Sequence, residues 1–157
     1  ERAIDIAKRN NVKVLLNPAP ARKLDDSLLA KVDILTPNET ESEIITGIPI
    51  KSVEDAKKAV TYLMDKGIPY VIVTMGGKGV VYNSGKEIIH KTVPDVTVID
   101  STAAGDSFSG ALAVALSNGK TIDEAVDFGN IVGTLTVMKK GAQTSLPTLE
   151  DVLNFTL

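Results

Sequence analysis

The stretch VIDSTAAGDSFSGAL, residues 98–112, sets a short apolar run against two alanines, a glycine and an aspartate, and then turns apolar again. That order predicts a strand, a bend of small residues and a helix starting close to Asp106. The first turn of a helix leaves backbone amides unpaired, and the helix dipole puts partial positive charge at the same place. Residues as small as Ala103, Ala104 and Gly105 let an anion such as a phosphate touch those amides, and Asp106 beside them can accept a proton from an attacking hydroxyl. By itself the segment reads equally well as local structure, with Asp106 answering the dipole and Gly105 making the turn.

Outward from this stretch the chain alternates strand-like and helix-like segments. ERAIDIAKRN (1–10) reads as the last turns of an amphipathic helix without a cap or an initiating methionine, so the chain is expected to begin in mid-domain. VKVLLN (12–17) and DILTPN (33–38) read as strands of a parallel sheet covered on both faces, LDDSLLAKV (24–32) as a short helix, and ETESEIITG (39–47) as a helix stopped by Gly47. Ser52 and Asp55 resemble a capping box for a helix whose stripe is Val53, Ala56, Val60, Leu63 and Met64, closed by Gly67. YVIVTM (70–75) and GVVYN (79–83) predict two strands joined by a glycine turn, and KEIIHKTV (86–93) and VTVID (96–100) two more. Thr121 with Glu124 opens a long helix that Gly141 ends, and LPTLEDVLNF (146–155) supplies a last short one. The sum is an α/β layered fold with parallel pairs and an antiparallel hairpin region. In such sheets ligands gather at the carboxyl ends of strands, here NPAP (17–20), TPNETE (36–41), TMGGKG (74–79) and DSTAAGD (100–106).

Composition narrows the chemistry. The 157 residues suit one domain, and 43% hydrophobic with 24% charged residues is the mix of a globular chain. A net charge of -3 provides no broad field for nucleic acid or anionic lipid, so phosphate binding has to come from local geometry. The lack of cysteine excludes disulfides, thiolate nucleophiles and Cys-based zinc sites, and fits a cytoplasmic protein. No apolar run approaches the ~18 to 20 residues of a membrane span, so neither a membrane nor nucleic acid is an expected partner.

The remaining motifs each have a plain reading beside a functional one. In TMGGKG, Gly76, Gly77 and Gly79 permit positive φ in a hairpin, or they let a nucleotide approach the backbone with Lys78 as a nearby cation. Neither G-x-x-x-x-G-K-[ST] nor G-x-G-x-x-G after a strand is present. In TPNETE the acids Glu39, Glu41 and Glu43 suit a helix dipole, yet Asn38 and Glu41 could also stand near phosphates, where Mg²⁺ is held by one or two carboxylates. His90 has no acid or serine partner at a catalytic spacing and reads as a surface or hairpin residue; Phe108 reads as core.

Taken together, NPAP, TPNETE, TMGGKG, DSTAAGDSFSGAL and KKGAQTSLP stand in an order and spacing that closely resemble the C-terminal half of the PfkB/ribokinase family of carbohydrate kinases. The resemblance runs over practically the whole chain, and AAGD combined with NETE and KGAQ points to the ribokinase branch rather than to the fructokinases or adenosine kinases. It implies a ribokinase-like fold, a mostly parallel sheet flanked by helices. Residues 1–157 would form the C-terminal, nucleotide-binding part of a domain whose N-terminal half and lid are not in this sequence. It implies ATP-dependent phosphorylation of the 5-hydroxyl of D-ribose by the parent protein, with ATP, Mg²⁺ and K⁺. The alternatives are a kinase of the same family for fructose or adenosine, or a noncatalytic nucleotide-binding module.

By the same resemblance Asp106 is the catalytic base, and the amides of Ala103, Ala104 and Gly105 form the anion hole around the γ-phosphate. Asn38 and Glu41 organise Mg²⁺ and phosphates, with Glu41 acting on the metal indirectly, and Thr74, Met75, Gly76, Gly77, Lys78 and Gly79 run along the nucleotide. Asn130 contacts the nucleotide near adenine, and Asp100, Thr102, Thr136, Lys139, Gly141 and Ser145 surround potassium, several through backbone carbonyls. Ser101, Ser107 and Ser109 depart from the more usual threonine, threonine and asparagine. The family's first half carries most sugar contacts and the lid through which dimers form. The resemblance therefore implies a homodimeric parent, and a fragment that is inactive alone and prone to self-association.

Overall fold

Parallel pairing starts where the apolar runs of the first third of the chain meet. The computed structural model describes residues 1–155, which form two units, Glu1–Lys91 and the part from Thr92 onward. In the first unit helix α1 (Arg2–Arg9) leads to strand β1 (Leu15–Leu16), and a short helix α2 (Asp26–Leu29) crosses to strand β2 (Ile34–Leu35). Helices α3 (Glu39–Thr46) and α4 (Val53–Asp65) then cross to strand β3 (Tyr70–Thr74), followed by the hairpin strands β4 (Val80–Asn83) and β5 (Ile88–Lys91). The sheet order is β1-β2-β3-β4-β5. β1 to β3 pair in parallel, β3 to β5 antiparallel, so the sheet is mixed: Leu15 stands opposite Ile34, Leu35 opposite Val71, and Val73 opposite Val81.

The core of this unit joins Leu35, Val71, Val73 and Val81 of the sheet to Ala56, Ala59, Val60 and Leu63 on one stripe of α4. β1 is shorter than its apolar run suggests and only half-buried, because it is the sheet's outer strand and is not covered on both faces. Asp33 anchors it from the next strand, its Oδ2 accepting from Val14 N at 2.7 Å and from Lys8 Nζ at 2.6 Å. Asn83, 2% exposed, closes the change from parallel to antiparallel pairing: its Oδ1 accepts from Val71 N and its Nδ2 donates to Pro69 O. The Ser52 cap forms, with its Oγ accepting from Asp55 N. The box is incomplete, since Asp55 returns to the Ser52 hydroxyl and to Lys51 N rather than to the Ser52 amide.

The second unit is helical: α5 (Ala104–Ser117), α6 (Ile122–Val137) and α7 (Leu149–Leu153). The predicted strand VTVID does not form. Val98 and Ile99 are 60% and 62% exposed, and the amides of Ile99 and Asp100 both donate to Val137 O, one of the carbonyls left over at the end of α6. An apolar run with no strand beside it among the described residues has only that helix end to bond to. α6 begins with the full Thr121–Glu124 capping box, ends at Val137, and leaves Gly141 outside it in a tight turn at φ +108°. α5 and α6 lie close because Gly129 faces Phe108 and Gly133 faces the Ala104 carbonyl.

Candidate active site

In the first unit the ends of β2 and β3 lie side by side. Thr74 N donates to Pro37 O at 2.9 Å and Thr74 bridges Asn38, so TPNETE and TMGGKG are neighbours, as strand ends in one sheet should be. Asn38 caps α3: its Oδ1 accepts from Glu41 N at 2.9 Å while Glu41 Oε2 accepts from Asn38 N at 2.8 Å. One Glu41 oxygen thus has a structural duty. Glu39 Oε1 pairs with Lys78 Nζ at 3.3 Å, which holds the expected cation against the start of α3.

The glycine turn is a single 3₁₀ turn, Gly76–Lys78. Gly76 and Gly79 have φ of +54° and +88°, a region that disfavours a side chain, whereas Gly77 has no positive φ, contrary to expectation. A carbon added at Gly76 or Gly77 meets nothing within 4 Å, so the surface there is open. Met75 is 2% exposed with its side chain in the core, so only its backbone can take part in the turn. His90, which spacing had left without a role, touches the turn: its Nε2 lies 2.7 Å from Lys78 O. A sequence pattern gives no sign of a bond between a strand residue and a turn twelve residues earlier.

In the second unit Ala103 is the N-cap of α5 at φ +63°. The strained residue is therefore an alanine, at about 1 to 2 kcal/mol, and not Gly105, whose φ is ordinary. The expected hole is also smaller than three amides, because Ala104 N donates to Ser101 O at 3.3 Å. Gly105 is exposed, and a carbon added to it meets nothing within 4 Å. Asp106 is exposed in the same first turn.

Behind this turn runs a buried chain of hydroxyls, with Ser107 Oγ 2.9 Å from Ala104 O, Thr136 Oγ1 3.0 Å from Ser107 Oγ, and Thr136 Oγ1 2.8 Å from Val132 O. The hydroxyl of Thr136 is therefore committed to the packing of α5 on α6, and only its carbonyl faces the turn that follows, where Lys139 N reaches it at 3.3 Å.

Asp100 ties that turn to the loop before α5. Its Oδ1 accepts from Thr102 N at 2.9 Å and its Oδ2 from Gly141 N at 3.0 Å. Bonds from the Thr102 hydroxyl, then from the Gly141 and Thr102 amides, hold its carboxyl down to about 2. Both Asp100 oxygens thus accept from backbone amides, and the carboxylate stays charged. Ser145 is fully buried in the same turn and donates to Ala142 O, while the Lys139 ammonium pairs with Asp151 at 3.8 Å and so points its charge toward α7. Asn130, in α6 one turn before Gly133, is 8% exposed. Among the described residues no group of three or more His, Cys, Asp or Glu could hold a metal by itself, and no helix is long and apolar enough to cross a membrane.

Strands paired in parallel through crossing helices, followed by a helical unit, make this an α/β protein. The chain belongs to the pfkB family of carbohydrate kinases, whose model matches residues 1–149. Ribokinase of Haemophilus influenzae is 50% identical over 156 residues, covering 99% of this chain and 51% of that protein. Ribokinase of Thermotoga maritima superposes with a TM-score of 0.85 at 39% identity, over 96% of this chain and 51% of that one. The Arabidopsis thaliana ribokinase complexed with ribose and ATP superposes at 0.89 with 34% identity, over 98% of this chain and 51% of that one. The chain spans about half the length of the curated relatives it matches.

Proposed function

We propose that this chain is the nucleotide-handling part of an ATP-dependent kinase that phosphorylates the 5-hydroxyl of D-ribose. The observation that carries the reading is the start of α5, where Gly105 is open to solvent and Asp106 stands in the first helical turn. Asp106 accepts the proton of the sugar hydroxyl as its oxygen bonds to the γ-phosphorus. The bond from that phosphorus to the bridging oxygen breaks, and ADP departs with the electron pair. Amides at the helix start stabilise charge on the transferring group, which for a loose transition state outweighs proton removal.

Glu41, through its second oxygen, and Asn38 would hold water and phosphate around Mg²⁺, which when bound neutralises charge between the phosphates. Asp100 with the carbonyls of Thr102, Thr136, Lys139 and Gly141, and with Ser145, would hold K⁺ and so stiffen the loop before α5. The glycine turn from Thr74 to Gly79, and Asn130, would contact the nucleotide. Identity to ribokinases at 50% favours ribose over fructose or adenosine. The intact acid at 106 favours an enzyme over a nucleotide sensor.

The test is ADP release by the full-length protein with ribose, fructose and adenosine. Ribose is expected to give the highest kcat/KM, and Asp106→Asn to lower kcat by about 10²- to 10⁴-fold while ATP still binds. Undiminished turnover in Asp106→Asn would refute the assignment of the base, and a preference for fructose or adenosine would reassign the substrate. The 157-residue chain alone is expected to release no ADP in response to ribose.

A further inference from the structure

We infer that His90 is a positioning residue that fixes the shape of the glycine turn on which a nucleotide rests; this rests on the nucleotide role proposed for that turn. The carbonyls of Met75, Gly76 and Gly79 accept from Lys78 N at 3.1 Å, Gly79 N at 2.9 Å and Met75 N at 2.8 Å. Those bonds close the turn on itself but leave out the carbonyls of Gly77 and Lys78. His90 supplies a partner for the Lys78 carbonyl, reaching across from β5, where it stands opposite Val81.

A carbonyl can only accept, so His90 Nε2 carries the proton. With that bond made, four of the five carbonyls from Met75 to Gly79 have partners, and a carbon built on Gly76 or Gly77 still meets nothing within 4 Å. Without the ring the Lys78 carbonyl would lose its partner and the turn would be free to shift beneath a bound nucleotide. Lys78 is thereby held twice, by its ammonium on Glu39 and by its carbonyl on His90. His90 touches no reacting atom; it sets the shape of a surface that the nucleotide meets.

The experiment compares the full-length wild type with His90→Leu and His90→Gln. The glutamine amide places a donor where Nε2 stands. In His90→Leu the KM for ATP and the Kd for ADP are expected to rise about 3- to 10-fold with kcat and the ribose KM unchanged, the pattern of lost uniform binding. His90→Gln is expected to recover most of that affinity. The ring Nε2–H resonance, assigned in the full-length protein by its loss in His90→Leu, should be slow to exchange and should shift when ADP binds. Equal ADP affinity in wild type and His90→Leu, or a loss that glutamine fails to recover, would overturn the role of His90 while leaving the proposed function standing. Failure of the wild type to bind ADP would remove both.

Discussion

Gly129→Ala should destabilise the protein, whereas the same change four residues later, Gly133→Ala, should stabilise it. A carbon built on Gly129 lies 2.9 Å from both Cδ2 and Cε2 of Phe108 and 3.3 Å from the Phe108 carbonyl. Phe108 is 4% exposed, so its ring has little room to retreat, and overpacking of this kind costs about 1 to 3 kcal/mol. The helix preference for alanine over glycine returns about 1 kcal/mol, leaving a net loss of about 0 to 2. At Gly133 the added carbon meets the Ala104 carbonyl at 3.7 Å and Phe108 Cβ at 3.9 Å, which is ordinary contact. Only the propensity gain of up to about 1 kcal/mol remains there. Urea denaturation of both variants, followed by circular dichroism, reads the difference directly. Adding Phe108→Leu to Gly129→Ala should recover part of the loss, because the methyl then occupies space vacated by the ring. A rise in urea midpoint for Gly129→Ala alone would refute the claim that Phe108 is packed hard against α6.

Three further outcomes are expected. Replacing the hydroxyls in Thr136→Val and Ser107→Ala should each cost about 1 kcal/mol, and a double-mutant cycle should show coupling of about 0.5 to 1.5 kcal/mol; additive losses would mean that the Thr136–Ser107 bond contributes nothing. The carboxyls of Asp100 and Glu124 are held at about 2, below their ordinary values of 3.8 and 4.5. Their contribution is therefore complete above the ordinary values and is lost as pH falls from about 4 toward 2, so urea midpoints should drop through that window, and less steeply in Asp100→Asn. The 157-residue chain, with its outer strand β1 half-buried and Leu149 and Leu153 of α7 at 63% and 75% exposure, should self-associate in sedimentation velocity as concentration rises. A single monomer boundary at all concentrations would count against this.

Local rules reached furthest where the controlling contacts are local. The box of Thr121 and Glu124, the helix after Ser52 and the glycine turn between β3 and β4 are each decided within a few residues, and each forms where the pattern puts it. VTVID failed because strand propensity says nothing about whether an edge is available to pair with; its amides went to the end of α6 instead. Asp106 at a helix start was legible, but the strain at Ala103 was not, since alanine carries no mark of a positive φ. His90 was missed for a related reason. Its partner is a main-chain oxygen, and a backbone atom leaves no trace in the residue alphabet.

The left-handed turn at Ala103 has one more consequence. Because a methyl-bearing residue resists that conformation, the surrounding chain must impose it during folding. Entropic loss at the mouth of α5 is then incurred once, when the chain folds; under the function proposed above it would not recur at each binding event, and a glycine at 103 would bring it back.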